Sequence, residues 1–122
     1  MPVSYQIDSA QKIVYTTFKG KVTNQEFVRH ATEIMSDPEI DGSFVELIRA
    51  DTSSMVGVTG SGLREIADAL KVSTAVRKIG IVASREVEFG LARMVESLAH
   101  GSPIEIQVFR ELADASSWLG IE

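Results

Sequence analysis

The chain contains no cysteine. Disulfides, thiolate metal sites and cysteine nucleophiles are therefore excluded. It holds only two histidines, His30 and His100, in neither an HxxxH nor an HxH spacing. A histidine-built metal centre is not expected, and neither is a cofactor. No apolar run approaches the roughly 20 residues needed to cross a bilayer. The opening Met1-Pro2-Val3-Ser4-Tyr5 lacks a basic stretch followed by an apolar one, so neither a leader nor membrane insertion is expected and the expected location is the cytoplasm. Basic residues are also in deficit, 12 against 17 acidic, for a net charge of −5. With a pI near 5.0, a broad surface for nucleic acid or anionic lipid is disfavoured. One local basic patch remains open, because Arg77, Lys78 and Arg85 lie close in sequence.

The residues that are present are those of an ordinary globular chain: 44% hydrophobic and 24% charged over 122 residues. That length fits one domain spanning 1–122. Val3, Tyr5 and Ile7 alternate with polar residues, and a second alternating run covers Lys12 to Lys19 after turn-forming Asp8-Ser9-Ala10-Gln11. Together they predict an antiparallel hairpin. Thr23-Asn24-Gln25-Glu26 has capping-box spacing, and Phe27, Ala31, Ile34 and Met35 follow at helical intervals. A helix is predicted from Asn24 to Met35, stopped by Asp37-Pro38.

Phe44 to Ala50 reads as a strand and Asp51 to Gly60 as a loop. Leu63, Ile66, Ala67 and Leu70 mark a helix. Lys78 to Ala83 is nearly continuous and apolar, as expected of a parallel strand covered on both faces. A helix over Val87 to Ala99 places Leu91, Met94, Val95 and Leu98 on one face. It ends at His100-Gly101. A strand through Ile104, Ile106 and Val108 precedes a last helix carrying Leu112, Ala115 and Leu119. The order β-β-α-β-α-β-α-β-α defines an α/β fold with a mixed, mostly parallel sheet and covering helices.

That order, together with Phe89-Gly90-Leu91-Ala92-Arg93-Met94, Val108-Phe109-Arg110, Ala115 and Trp118-Leu119, resembles the SpoIIAA-like branch related to the bacterial STAS and SEC14-type domains. The resemblance implies a non-enzymatic interaction or regulatory module, with a protein partner or a second copy of itself as ligand. The SEC14-type side of it implies the alternative, a carrier of a small apolar molecule or lipid. Thr59-Gly60-Ser61-Gly62-Leu63 is similar to the Asp-Ser-Ser-Gly-Leu segment of partner-switching STAS proteins, whose second serine is phosphorylated. Ser61, Gly62 and Leu63 match; Thr59 and Gly60 depart.

Ser61, with Gly60 and Gly62, is accordingly the candidate phosphoacceptor or anion site, because a helix N-terminus attracts phosphate. A serine in that place also serves commonly as a plain N-cap. Gly57, Thr59, Leu63 and Arg64 are the candidate partner surface. Asp51, Ser84, Arg85 and Phe89 are the candidate pocket at the carboxyl ends of the parallel strands, where ligands of open α/β sheets gather. Other motifs fail on a required residue. Gly57 and Gly62 have P-loop separation, but Leu63-Arg64 replaces Lys-Ser/Thr, and Glu65 stands where a dinucleotide motif needs a third glycine. Asp37, Glu39, Asp41 and Gly42 imitate half of a calcium loop whose twelfth position is Ile48 instead of Glu. No pattern joins Ser61, a histidine and Asp51 into a triad. Both histidines are expected at the surface, Trp118 as an anchor for the last helix, and Phe89, Met94 and Leu98 in the core.

Overall fold

The computed structural model describes residues 2–55, 58–72 and 75–121, without the side chains of 51–53 and 71–72. Its elements are β1 (Val3–Asp8), β2 (Ile13–Lys21), α1 (Asn24–Ser36), β3 (Val45–Ser54), α2 (Gly60–Val72), β4 (Lys78–Val82), α3 (Glu86–Leu98), β5 (Glu105–Phe109) and α4 (Leu112–Leu119). The five strands form one sheet in the order β1-β2-β3-β4-β5. Strand β1 pairs antiparallel with β2, from Val3 opposite Phe18 to Asp8 opposite Ile13. The β2–β3, β3–β4 and β4–β5 pairs are all parallel.

Each parallel strand is added on the same side of its predecessor. Right-handed crossovers then place all three connecting helices on one face. The packing agrees. Phe27 and Ile34 of α1, Leu63, Ile66 and Leu70 of α2, and Ala92 and Val95 of α3 bury against Val14, Phe18, Ile48, Ile79, Ile81 and Val108. The opposite face is covered by α4, whose Ala115 and Leu119 sit on Ile13, Val45, Leu47 and Val82. Alternation along each strand assigns one set of side chains to each face. Gly80 makes room for α4: a Cβ there would lie 3.0 Å from Leu119 Cδ1.

Helix α1 starts as its sequence directs. The Thr23 hydroxyl accepts the Glu26 N–H at 3.2 Å, and the Glu26 carboxylate accepts the Thr23 N–H at 3.0 Å. Asp37 closes the helix in extended geometry just before Pro38. Strand β3 differs from expectation, running through Ser54 where a loop was predicted from Asp51. Its added residues pair with Lys19, Gly20 and Lys21 of β2 after a register shift near Thr17, and the Val22 N–H donates to the Ser54 carbonyl at 2.9 Å. A neighbouring backbone, with no apolar alternation, holds this segment in the sheet.

Candidate functional site

The first turn of α2 gathers most of the residues singled out around Ser61. Thr59 caps the helix: its carbonyl accepts the Leu63 N–H at 3.1 Å, and its hydroxyl lies 3.4 Å from the Gly62 nitrogen. The cap is therefore not Ser61, which stands exposed in the first helical turn with its hydroxyl 3.0 Å from Thr59 Oγ1. Asn24, in the first turn of α1, ties the two helix starts together. Its amide donates to Thr59 Oγ1 at 2.8 Å, and its carbonyl oxygen accepts the Thr59 N–H at 2.9 Å. Gly62 permits this approach, since a Cβ there would fall 2.3 Å from Asn24 Oδ1. Two helix N-termini thus converge, with their positive ends on one patch of surface.

Gly60, Thr59 and Arg64 are exposed on this patch. Leu63 is not: it is fully buried in the core. Its place in a partner surface is withdrawn, because helical spacing turns it onto the sheet with Ile66 and Leu70. Gly57 lies outside the described residues.

The strand-end pocket is rearranged as well. Extension of β3 moves its carboxyl end to Ser54, so Asp51 sits inside the β2–β3 ladder; its side chain is outside the described residues. Arg85 reaches Glu88, Nε to Oε1 at 3.0 Å. Glu88 is buried, and its other oxygen accepts the Met55 N–H at 3.1 Å. A shallow depression of about 210 Å³ there is lined by Ser54, Arg85, Glu86, Val87 and Glu88. The Ser84 carbonyl accepts from Arg110 Nη1 at 3.3 Å, and the Arg110 guanidinium lies 4.0 Å above the half-buried Phe89 ring. Ser84 and Phe89 thus serve Arg110, while Arg85 serves Glu88, the acid that fastens α3 to the end of β3. The basic trio does not form a patch. Arg77 and Lys78 lie at the start of β4 and Arg85 beyond its end.

One polar group was missed. His30 is buried, not at the surface, and its Nε2–H donates to Glu46 Oε2 at 2.8 Å. Thr16 Oγ1 donates to the same oxygen at 2.6 Å. All three side chains point to the α1–α3 face of the sheet. The imidazole meets Tyr5 and Phe18 edge to face, both at 5.8 Å between centroids. His30 Nδ1 is buried without a hydrogen-bond partner among the described residues. Beside the pair lies an otherwise apolar cavity of about 40 Å³, bounded by Phe27, Ile34, Leu70, Val76, Ile79 and Val95. That admits a water-sized occupant. A second void of about 20 Å³ touches Leu91 and Ala92.

The remaining motifs resolve into structure. Asp37 accepts from the Glu39 N–H and the Tyr5 hydroxyl, and Asp41 from the Ser43 N–H and hydroxyl. Those two bonds from Ser43 hold the Asp41 carboxyl below its usual range. Ile48 is in the core. Trp118 is half-buried, 5.8 Å from Phe109, with Lys78 Nζ 4.6 Å from its ring centroid. Met94 is exposed, contrary to its expected core place. No described contact joins Ser61 to His30 or His100.

Sheet order, three helices on one face and a fourth on the other define a SpoIIAA-like fold. A crystal structure from Shewanella loihica PV-4, of an uncharacterised DUF3478-family protein with a SpoIIAA-like fold, matches with a TM-score of 0.60. The match covers 96% of this chain and 93% of that one at 17% sequence identity; what the two share is the fold. No family model and no curated protein matches the sequence.

Proposed function

We propose that the chain is a non-enzymatic interaction module that docks a protein partner through the first turn of α2, and that phosphorylation of Ser61 switches the contact. The observation that carries this reading is the division of labour between Thr59 and Ser61. Thr59 holds the cap and Ser61 stands exposed beside it. A phosphoryl group on Ser61 would add close to two negative charges at pH 7. Backbone N–H groups and the dipoles of two converging helices favour such a charge, and Arg64 stands exposed one turn further along α2. Because the cap is elsewhere, the modification would alter the surface and leave the helix folded. The fold itself does not carry the function. An apolar-ligand carrier is less well supported: the apolar cavity of about 40 Å³ has no room for an acyl chain, and the wider groove of about 500 Å³ beside β5 is open and lined by polar groups that include Arg93, Glu96, His100, Glu105 and Gln107.

The test is intact-mass measurement and phosphopeptide mapping on protein purified gently from its own host, alongside Ser61→Ala and Ser61→Glu. The expected result is one phosphate on Ser61, absent in Ser61→Ala. Ser61→Glu should melt with the wild-type protein and lose a partner that the wild type retains. Unmodified Ser61, together with the same partner bound equally by wild type and Ser61→Glu, overturns the switch.

A further inference from the structure

Helix α3 leaves two apolar side chains, Val87 and Met94, largely exposed, at 52% and 46%, with Leu91 between them packed partly against the core. Their spacing of four and three residues puts all three on one flank of the helix. The core side of α3 belongs to Glu88, Ala92 and Val95.

Gly90 stands on the face opposite that core-facing line, and it is exposed. Its backbone is helical, and a Cβ added there would meet nothing within 4 Å. Neither conformation nor internal packing calls for glycine, yet glycine weakens a helix interior more than any residue except proline. Open space over a glycine in mid-helix suits the close approach of another backbone.

The other flank of α3 says whose backbone. Glu86 and Arg93 are both exposed and lie seven residues apart, two helical turns or about 10 Å. Each has a loose partner within the chain: Glu86 Oε1 is 3.4 Å from Arg110 Nη2, and Arg93 Nε is 3.7 Å from Glu96 Oε1. Set two copies of α3 antiparallel about a twofold axis, with the helices crossing near Gly90. Glu86 of each then faces Arg93 of the other on one flank, and Val87 faces Met94 on the other flank. Charge and apolar surface both find their complements on the same face, which is what a twofold interface requires.

We propose that this chain forms a homodimer through α3, crossing at Gly90. The contact is independent of the Ser61 reading, as it uses a different helix and no modification. A single helix face per protomer is small against the roughly 800 Å² per partner of a standard interface, so a weak dimer is expected, dissociating on the order of tens of micromolar.

The experiment is sedimentation equilibrium of the full chain from about 1 μM to about 1 mM, a range that brackets such an affinity. The wild type should pass from monomer to dimer. Gly90→Leu should remain monomeric throughout, while the thermal midpoint of the dilute protein rises, because the helix gains a better residue at an exposed position where a Cβ meets nothing within 4 Å. Arg93→Glu should weaken the dimer about tenfold by facing Glu86 of the second copy, and Glu86→Arg combined with Arg93→Glu should restore it. A wild type that stays monomeric at the highest concentration overturns the proposal. So does a dimer that tolerates Gly90→Leu, or a double charge exchange that fails to recover what Arg93→Glu lost. The charge exchange keeps the test decisive should Gly90→Leu fold poorly.

Discussion

Tyr5 and His30 touch edge to face, and each is held by a carboxylate. The Tyr5 hydroxyl donates to Asp37 Oδ2 at 2.8 Å. Its phenol is pushed up to about 12, first by burial, then by that hydrogen bond and by the charges of Asp37, Glu33 and Glu39. An unfolded tyrosine ionises near pH 10. Below about pH 10 both states keep the proton and this contribution is whole; between about 10 and about 12 the unfolded chain releases its proton first and stability falls. Tyr5→Phe should cost about 1 kcal/mol at neutral pH. The gap between the two proteins, read by urea titration at each pH, should narrow across that window. His30 and Thr16 share the Glu46 acceptor in the interior, so Glu46→Leu strands both and should cost about 3–5 kcal/mol by urea unfolding. Adding His30→Phe should recover much of that loss. This cluster left traces in the sequence. His30 falls on the helical face of Phe27 and Ile34, Glu46 interrupts the apolar run from Phe44 to Ala50, and Thr16 shares its strand face with Val14 and Phe18. Each reads alone as a tolerated polar residue, and only the packing of α1 across β2 and β3 brings them into contact.

Local chemistry decides where the helices begin, and it separates two neighbouring hydroxyls in α2. Thr59→Ala removes the capping hydroxyl and the bond it accepts from Asn24 Nδ2, and should lower stability by about 1 kcal/mol in thermal melts. Ser61→Ala, at an exposed position with no capping duty, should stay within about 0.5 kcal/mol of the parent. The capping box of α1 was legible because all its partners lie within four residues. Thr59 was harder to recognise, since Ser61 offers the same hydroxyl two residues later and the bond that fixes Thr59 comes from Asn24, 35 residues away. The end of β3 was illegible for a similar reason. Thr52, Ser53 and Ser54 have no strand pattern of their own and are extended because β2 runs beside them.

At the scale of the molecule, the fold was the most legible property. Element order and hydrophobic period are both readable in the chain, and a structure only 17% identical in sequence has a similar arrangement. Which residues meet at a site was less legible, because it depends on which face and which end of the sheet each one reaches. Leu63 turned inward, Met94 turned outward, and Arg85 was carried to the opposite end of β4 from Lys78. The order of strands in the sheet is also their order in the chain. A chain emerging from the ribosome could therefore lay each strand against one already made, without a gap awaiting a later insertion. Growth along the sheet would then run in one direction, with the newest strand as the template for the next. Strand β5 is where this templating stops: Glu96 of α3 accepts the outward Val108 N–H at 2.9 Å, occupying a donor that a sixth strand would have used.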